Sequence, residues 1–174
     1  MWVTEPGVLP IWVSASELEC CQPDAIVDRR WDVRGLILER VDSAPAEDPA
    51  RLSADTAGRF DGNVIFVKQL DANRCLLRIH GSVLLICESP VDQTSRRLTG
   101  RLRLGSHELE FQGEAMRCQG IVRRIRLVQK ALLDSDEDNP DLDTRASTDI
   151  RSTTEREPGD ELLVELQLTT TMLA

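Results

Sequence analysis

Tyrosine is missing from this chain, and phenylalanine and tryptophan occur three times each, so aromatic residues make up only 3% of it. All three tryptophans lie within the first 31 residues. A protein that stacks single-stranded bases on aromatic platforms has little to build with here. Apolar runs are short as well, and none approaches the ~18 residues of a membrane-spanning helix. The opening Met-Trp-Val-Thr-Glu-Pro puts no basic stretch ahead of an apolar one, so no secretory signal is expected and the setting reads as cytoplasmic. Membrane partners are not expected either.

Catalytic signatures are also scarce. The chain has no Gly-x-Ser-x-Gly elbow, no His-Glu-x-x-His and no glycine-rich phosphate loop. Its two histidines, His80 and His107, both stand beside Gly-Ser turn signals. The five cysteines are Cys20, Cys21, Cys75, Cys87 and Cys118. No Cys-x2–4-Cys unit occurs among them, so a zinc site is not expected. The adjacent Cys20 and Cys21 follow Glu17-Leu18-Glu19 and precede Gln22-Pro23 in what reads as a loop. They are the candidate reactive thiols, while the other three read as buried structural residues. No disulfide is required, and no cofactor is expected.

The 174 residues suit one domain with its own core. Their net charge of −9 is unevenly spread. Residues 1–57 hold 5 basic and 11 acidic side chains, a net of −6. Residues 58–133 hold 13 basic and 7 acidic, a net of +6, and residues 134–174 hold 3 basic and 12 acidic, a net of −9. A basic centre between acidic ends implies an anionic partner or internal neutralisation. Arginine outnumbers lysine 19 to 2. It suits bidentate contacts to phosphate or carboxylate, although a GC-rich coding sequence gives the same bias. Arg96 and Arg97, followed by Arg123, Arg124, Arg126 and Lys130, are the candidate anion- or nucleic-acid-binding residues.

The centre of the chain reads as strands. Leu76–His80 and Val83–Cys87 flank Gly81-Ser82, and Leu98–Leu104 and His107–Gln112 flank Gly105-Ser106. Gly-Ser between apolar runs signals a two-residue hairpin turn. The first hairpin would set Ile79 opposite Leu84 and Leu77 opposite Ile86. The second would set Leu102 opposite Leu109, Arg101 opposite Glu110 and Arg103 opposite Glu108. With Trp12-Val13, Trp31–Leu38 and Ile121–Val128, the pattern predicts an all-β fold. It would be a small barrel or sandwich of about six to eight short antiparallel strands. That β domain would span residues 1–133. The acidic stretch 134–160 has too little apolar surface to offset its ordering entropy and reads as a disordered linker. Residues 161–174, with Leu162, Val164, Leu166 and Leu168 alternating, read as a short C-terminal strand or helix.

One segment carries a resemblance. Ile11-Trp12-Val13, Glu17-Leu18-Glu19-Cys20-Cys21-Gln22-Pro23, Val27-Asp28 and Trp31 together resemble the opening of a family of small uncharacterised actinobacterial proteins. In that family a Trp and an acidic residue lead into Cys-Cys, a Pro, Val-Gly-Asp and a Trp. Here no glycine stands between Val27 and Asp28. Gly120-Ile121-Val122 is similar to the family's closing strand. The resemblance implies a cytoplasmic actinobacterial setting and no activity.

The leading expectation is a non-enzymatic protein-interaction module. The alternatives are a nucleic-acid-binding β-barrel with an autoinhibitory acidic tail, and a thiol- or metal-dependent activity.

Overall fold

A computed structural model of the chain describes residues 7–39, 58–79, 83–88, 91–94, 97–105, 117–128, 147–156 and 161–169. The first elements are β1 (Val8–Val13), α1 (Ala15–Cys20), β2 (Arg30–Arg34), β3 (Leu36–Glu39), β4 (Phe60–Asn63) and β5 (Ile65–Gln69). They are followed by β6 (Cys75–Ile79), β7 (Val83–Cys87), β8 (Arg97–Leu104) and β9 (Arg117–Val128). The described chain ends with β10 (Ser147–Ile150), a 3₁₀ turn (Thr153–Glu155) and β11 (Glu161–Leu168).

The fold is all-β, but among the described residues it exceeds the expected six to eight strands and the barrel is not closed. Eleven strands form one curled half-barrel sheet in the order β10-β9-β11-β1-β8-β3-β7-β6-β5, with β2 on β9 and β4 on β8. Nor is the sheet purely antiparallel, because β1 runs parallel to β8 and β3 parallel to β7. These parallel neighbours are far apart in sequence. Hairpin signals describe only adjacent strands and therefore carry no trace of them.

Alternation decides which side chains face the core. In β1, Leu9, Ile11 and Val13 are buried while Val8, Pro10 and Trp12 are half-buried. Pro10 cannot donate a ladder hydrogen bond, and it sits before the β8 pairing begins at Ile11. Trp31 is buried, and its indole Nε1 donates to the Pro23 carbonyl at 2.9 Å. Gly120 of β9 pairs with Leu168 of β11, and a Cβ there would collide with the backbone carbonyl of Gln167. Asp28 has φ of 67°, a left-handed conformation that Asp tolerates better than most residues.

Three sequence expectations change. The β6–β7 hairpin forms, but Ile79 pairs with Val83, Leu77 with Leu85 and Cys75 with Cys87. Three residues therefore separate the strands instead of two. That one-residue slip puts Leu85 and Cys87 on the face of Leu77 and Cys75, which joins the core. The register expected for the second hairpin does not hold at Leu102 and Arg103. At Leu102 and Arg103, β8 is already paired with β3 on one side and β1 on the other. Residues 106–116 lie outside the described residues, including Glu108 and Glu110.

The third change concerns the acidic stretch. Residues 147–156, inside the expected linker, form β10 and the 3₁₀ turn. Ile150 packs on the core, and buried Thr153 exchanges backbone and side-chain hydrogen bonds with Ala25. Ser152 and Glu155 close a capping box around the turn. β11 then enters the middle of the sheet, antiparallel to both β1 and β9.

Candidate interaction surfaces

Three arginines of strand β9, Arg123, Arg124 and Arg126, meet acceptors on neighbouring strands. The pairing of β9 with β11 shifts register between Glu165 and Leu166, so Glu165 faces Arg124 while Leu166 faces Val122. Arg123 is the extra residue of that bulge, and both Arg123 and Arg124 are exposed. Arg124 holds Asp149 of β10 through Nε at 2.8 Å and Nη2 at 3.3 Å. Arg126, which is largely buried, reaches Glu165 at 3.4 Å. Arg123 donates to the Gln167 side chain.

On β8, Arg97 grips Asp61 of β4 in a fork with bonds of 2.7 and 2.8 Å. The Arg97 hydrogen bond holds the Asp61 carboxyl below its ordinary range. The candidates Arg96 and Lys130 lie outside the described residues. The remaining anion-site candidates thus sit on three different pairings, and each already meets an acceptor of this chain.

Arg101 and Arg103 are also engaged, but with other groups than the hairpin register implied. Arg103 bridges Glu39 of β3 and Glu88, reaching the latter at 3.0 and 3.1 Å. The Arg101 guanidinium stacks over Trp12, 4.5 Å from the ring centroid. The Trp12 indole in turn donates to Gly58 O at 2.8 Å. A cleft of about 300 Å³ opens here, bordered by Trp12, Glu39, Arg101, Arg103 and Glu161. Its charged residues balance, two glutamates against two arginines.

Cys20 and Cys21 are joined in a disulfide, which corrects the expectation of two free thiols. The expected loop around them is helical: Ser14 caps α1 by accepting from Glu17 N–H, and the Cys21 N–H returns to Glu17 O at 2.9 Å. Cys20 is exposed and Cys21 half-buried. By contrast Cys75, Cys87 and Cys118 carry thiols and are buried. Burial pushes the Cys75 thiol up to about 11, with neighbouring Cys87 adding to the effect, and Cys118 up to about 12. Among the described residues, no group of three or more His, Cys, Asp or Glu is placed to hold a metal ion.

β5 offers a different kind of surface, which the sequence analysis did not single out. It ends the sheet and, among the described residues, pairs with β6 alone. Ile65 is 59% and Val67 39% exposed, and Phe66 is half-buried against the core. A register shift between Phe66 and Lys68 makes Val67 a bulge. Exposed Lys68 and Arg78 flank the apolar residues, with Ile65 directly opposite Arg78. Neither cation has an ion-pair partner among the described residues. The available signal was the run Val64–Val67 itself, which continuous hydrophobicity assigns equally well to a buried strand.

No helix among the described residues is long and apolar enough to cross a membrane. Comparison with protein-family models, with curated proteins and with solved structures finds no match to this chain.

Proposed function

We propose that the chain is a non-enzymatic protein-interaction module whose contact surface is the β5 end of the sheet. The observation that carries this reading is the pair of exposed side chains Ile65 and Val67 beside Lys68 and Arg78. Isolated exposed hydrophobics are ordinary, but here two lie on one terminal strand next to cations that have no ion-pair partner among the described residues. The bulge and Lys68 both discourage addition of a further strand at this edge. Contact therefore runs through side chains, with an apolar anchor seated on Ile65 and Val67 and carboxylates meeting Lys68 and Arg78. The partner is a protein segment of apolar and acidic residues, and a cytoplasmic setting belongs to the same proposal.

Nucleic-acid binding is disfavoured because Arg97, Arg124 and Arg126 already hold Asp61, Asp149 and Glu165. A polyanion would have to displace them. The test is a titration of the full chain with a fluorescent peptide of alternating apolar and acidic residues, beside heparin and a single-stranded oligonucleotide. Peptide binding that falls at least tenfold in Ile65→Glu supports the reading. Tight polyanion binding that survives Ile65→Glu and is lost in Arg123→Ala/Arg124→Ala overturns it.

A further inference from the structure

The Cys20–Cys21 bond is poorly placed to act as a structural staple. A disulfide stabilises a fold chiefly by restricting the unfolded chain, and the effect grows with the length of the closed loop. Here the bonded residues are adjacent in sequence, so the loop is the shortest a chain allows. The surrounding structure has its own fastenings. The Gln22 side chain donates to Arg34 O at 2.8 Å and accepts from Arg34 N–H at 3.2 Å, which ties the end of α1 to β2. The same amide donates to Glu17 at 3.3 Å, and the Trp31 indole donates to Pro23 O at 2.9 Å. None of these contacts passes through sulfur. Opening the bond therefore leaves α1 attached.

Accessibility points the same way. Cys20 is exposed at the last position of α1, whereas the other three cysteines are buried, and burial pushes the Cys75 and Cys118 thiols toward the neutral form. Exchange needs a thiolate and an open approach to sulfur. Among these cysteines only the pair offers that approach.

We propose that Cys20–Cys21 is a reversible thiol–disulfide exchange site whose co-reactant is a dithiol, either a small molecule or an exposed protein Cys pair. The thiolate of the dithiol attacks Cys20 Sγ. The Cys20–Cys21 bond breaks, a mixed disulfide forms at Cys20, and Cys21 leaves as a thiolate that takes up a proton. The second thiol of the co-reactant loses its proton and attacks its own mixed-disulfide sulfur. Cys20 is then expelled and protonated. Two electrons and two protons have passed to the pair, and the dithiol has become a disulfide. A dithiol is specified because the second step is then intramolecular and outruns re-closure by Cys21. The step is independent of the β5 surface.

The experiment counts thiols by alkylation and mass spectrometry in full-length protein prepared without added thiol. Denatured but unreduced chain should take three labels, on Cys75, Cys87 and Cys118. Native protein treated with dithiothreitol should gain two labels, both on the tryptic peptide 1–29, which carries Cys20 and Cys21. Its circular dichroism and thermal midpoint should stay within a few degrees of the untreated protein. In Cys21→Ser, Cys20 should be trapped as a stable mixed disulfide by an aromatic disulfide probe. Five labels before reduction would overturn the proposal. So would a bond that yields only after the chain unfolds, or reduction that itself unfolds the chain.

Discussion

Deleting β11 by ending the chain at Arg156 should abolish cooperative folding, although every residue of the basic centre would remain. The strand lies between β1 and β9, not at an end of the sheet. It brings Leu162, Leu163, Val164 and Leu166, each no more than 3% exposed. Burying one such side chain is worth about 1.5–3 kcal/mol, so the four together contribute roughly 6–12 kcal/mol as an upper estimate. That is as large as the whole stability of an ordinary domain, about 5–15 kcal/mol. The loss also leaves the facing edges of β1 and β9 without their ladder bonds and bares Ile11 and Ile125. A milder version keeps the strand and removes one contact: Leu166→Ala should cost about 2–5 kcal/mol. Urea titration followed by tryptophan fluorescence and far-ultraviolet circular dichroism measures both. Trp31 serves as the reporter because it is buried and hydrogen-bonded on β2, next to β9. A 1–156 fragment that unfolds cooperatively at the midpoint of the full chain would refute the reasoning. It would mean that the half-barrel holds together without its central return strand.

Gly120→Ala should destabilise the chain by about 1–3 kcal/mol, read as a lower urea midpoint, because its methyl group would be driven into the Gln167 carbonyl. Asp61→Asn should lower the thermal midpoint at neutral pH but not in strong acid. The carboxylate's contribution is present above the ordinary value of about 3.9 and disappears as pH falls through the depressed folded value, so the two proteins' midpoints should converge there. Cys118, pushed up to about 12, should resist iodoacetamide in native protein at pH 8 and react fully on denaturation, as alkylation mass spectrometry will record.

The class of fold was legible because local chemistry carried it. Alternation in β1 and β11, the continuous run in β7 and the Gly-Ser signal between β6 and β7 all point to strands. What failed was information about distant pairing. Both Gly-Ser dipeptides looked alike, yet one joins β6 to β7 while the other follows a strand whose two edges β1 and β3 occupy. Charge matching set Arg103 against Glu108 and Arg101 against Glu110, two glutamates that lie outside the described residues. Glu39 and Glu88, the acids that meet Arg103, come from β3 and from the end of β7. Composition misled at 147–156 for a related reason. Ile150 and Thr153 are few, but each is placed against the core, and a capping box supplies local order that an apolar count ignores.

The candidate sites were legible to a lesser degree. Adjacent cysteines are visible in any reading of the sequence, but whether they are thiols or a disulfide depends on the geometry at the end of α1. The β5 surface was hidden because Val64–Val67 looks the same whether a strand lies in the middle of a sheet or at its end. Val64 is in fact buried, whereas Ile65, one residue later, is the most exposed of the large apolar side chains described.

The segregated charges have a structural explanation that bears on any autoinhibitory tail. An acidic tail that shields a basic face by long-range attraction should let go as salt rises, because exposed charges are screened within about 8 Å at physiological ionic strength. Among the described residues, two of the C-terminal acids are built into the sheet itself. Asp149 is held in β10 and Glu165 in β11, in register with Arg126 and Arg124 respectively. The ion pairs with Arg124 and Arg126 can open by side-chain rotation, but the two carboxylates stay beside β9 as long as β10 and β11 remain paired with it, and β11 is anchored by the buried Leu162, Val164 and Leu166. For these two acids, raising salt weakens the ion pairs without releasing the carboxylates from beside the basic strand.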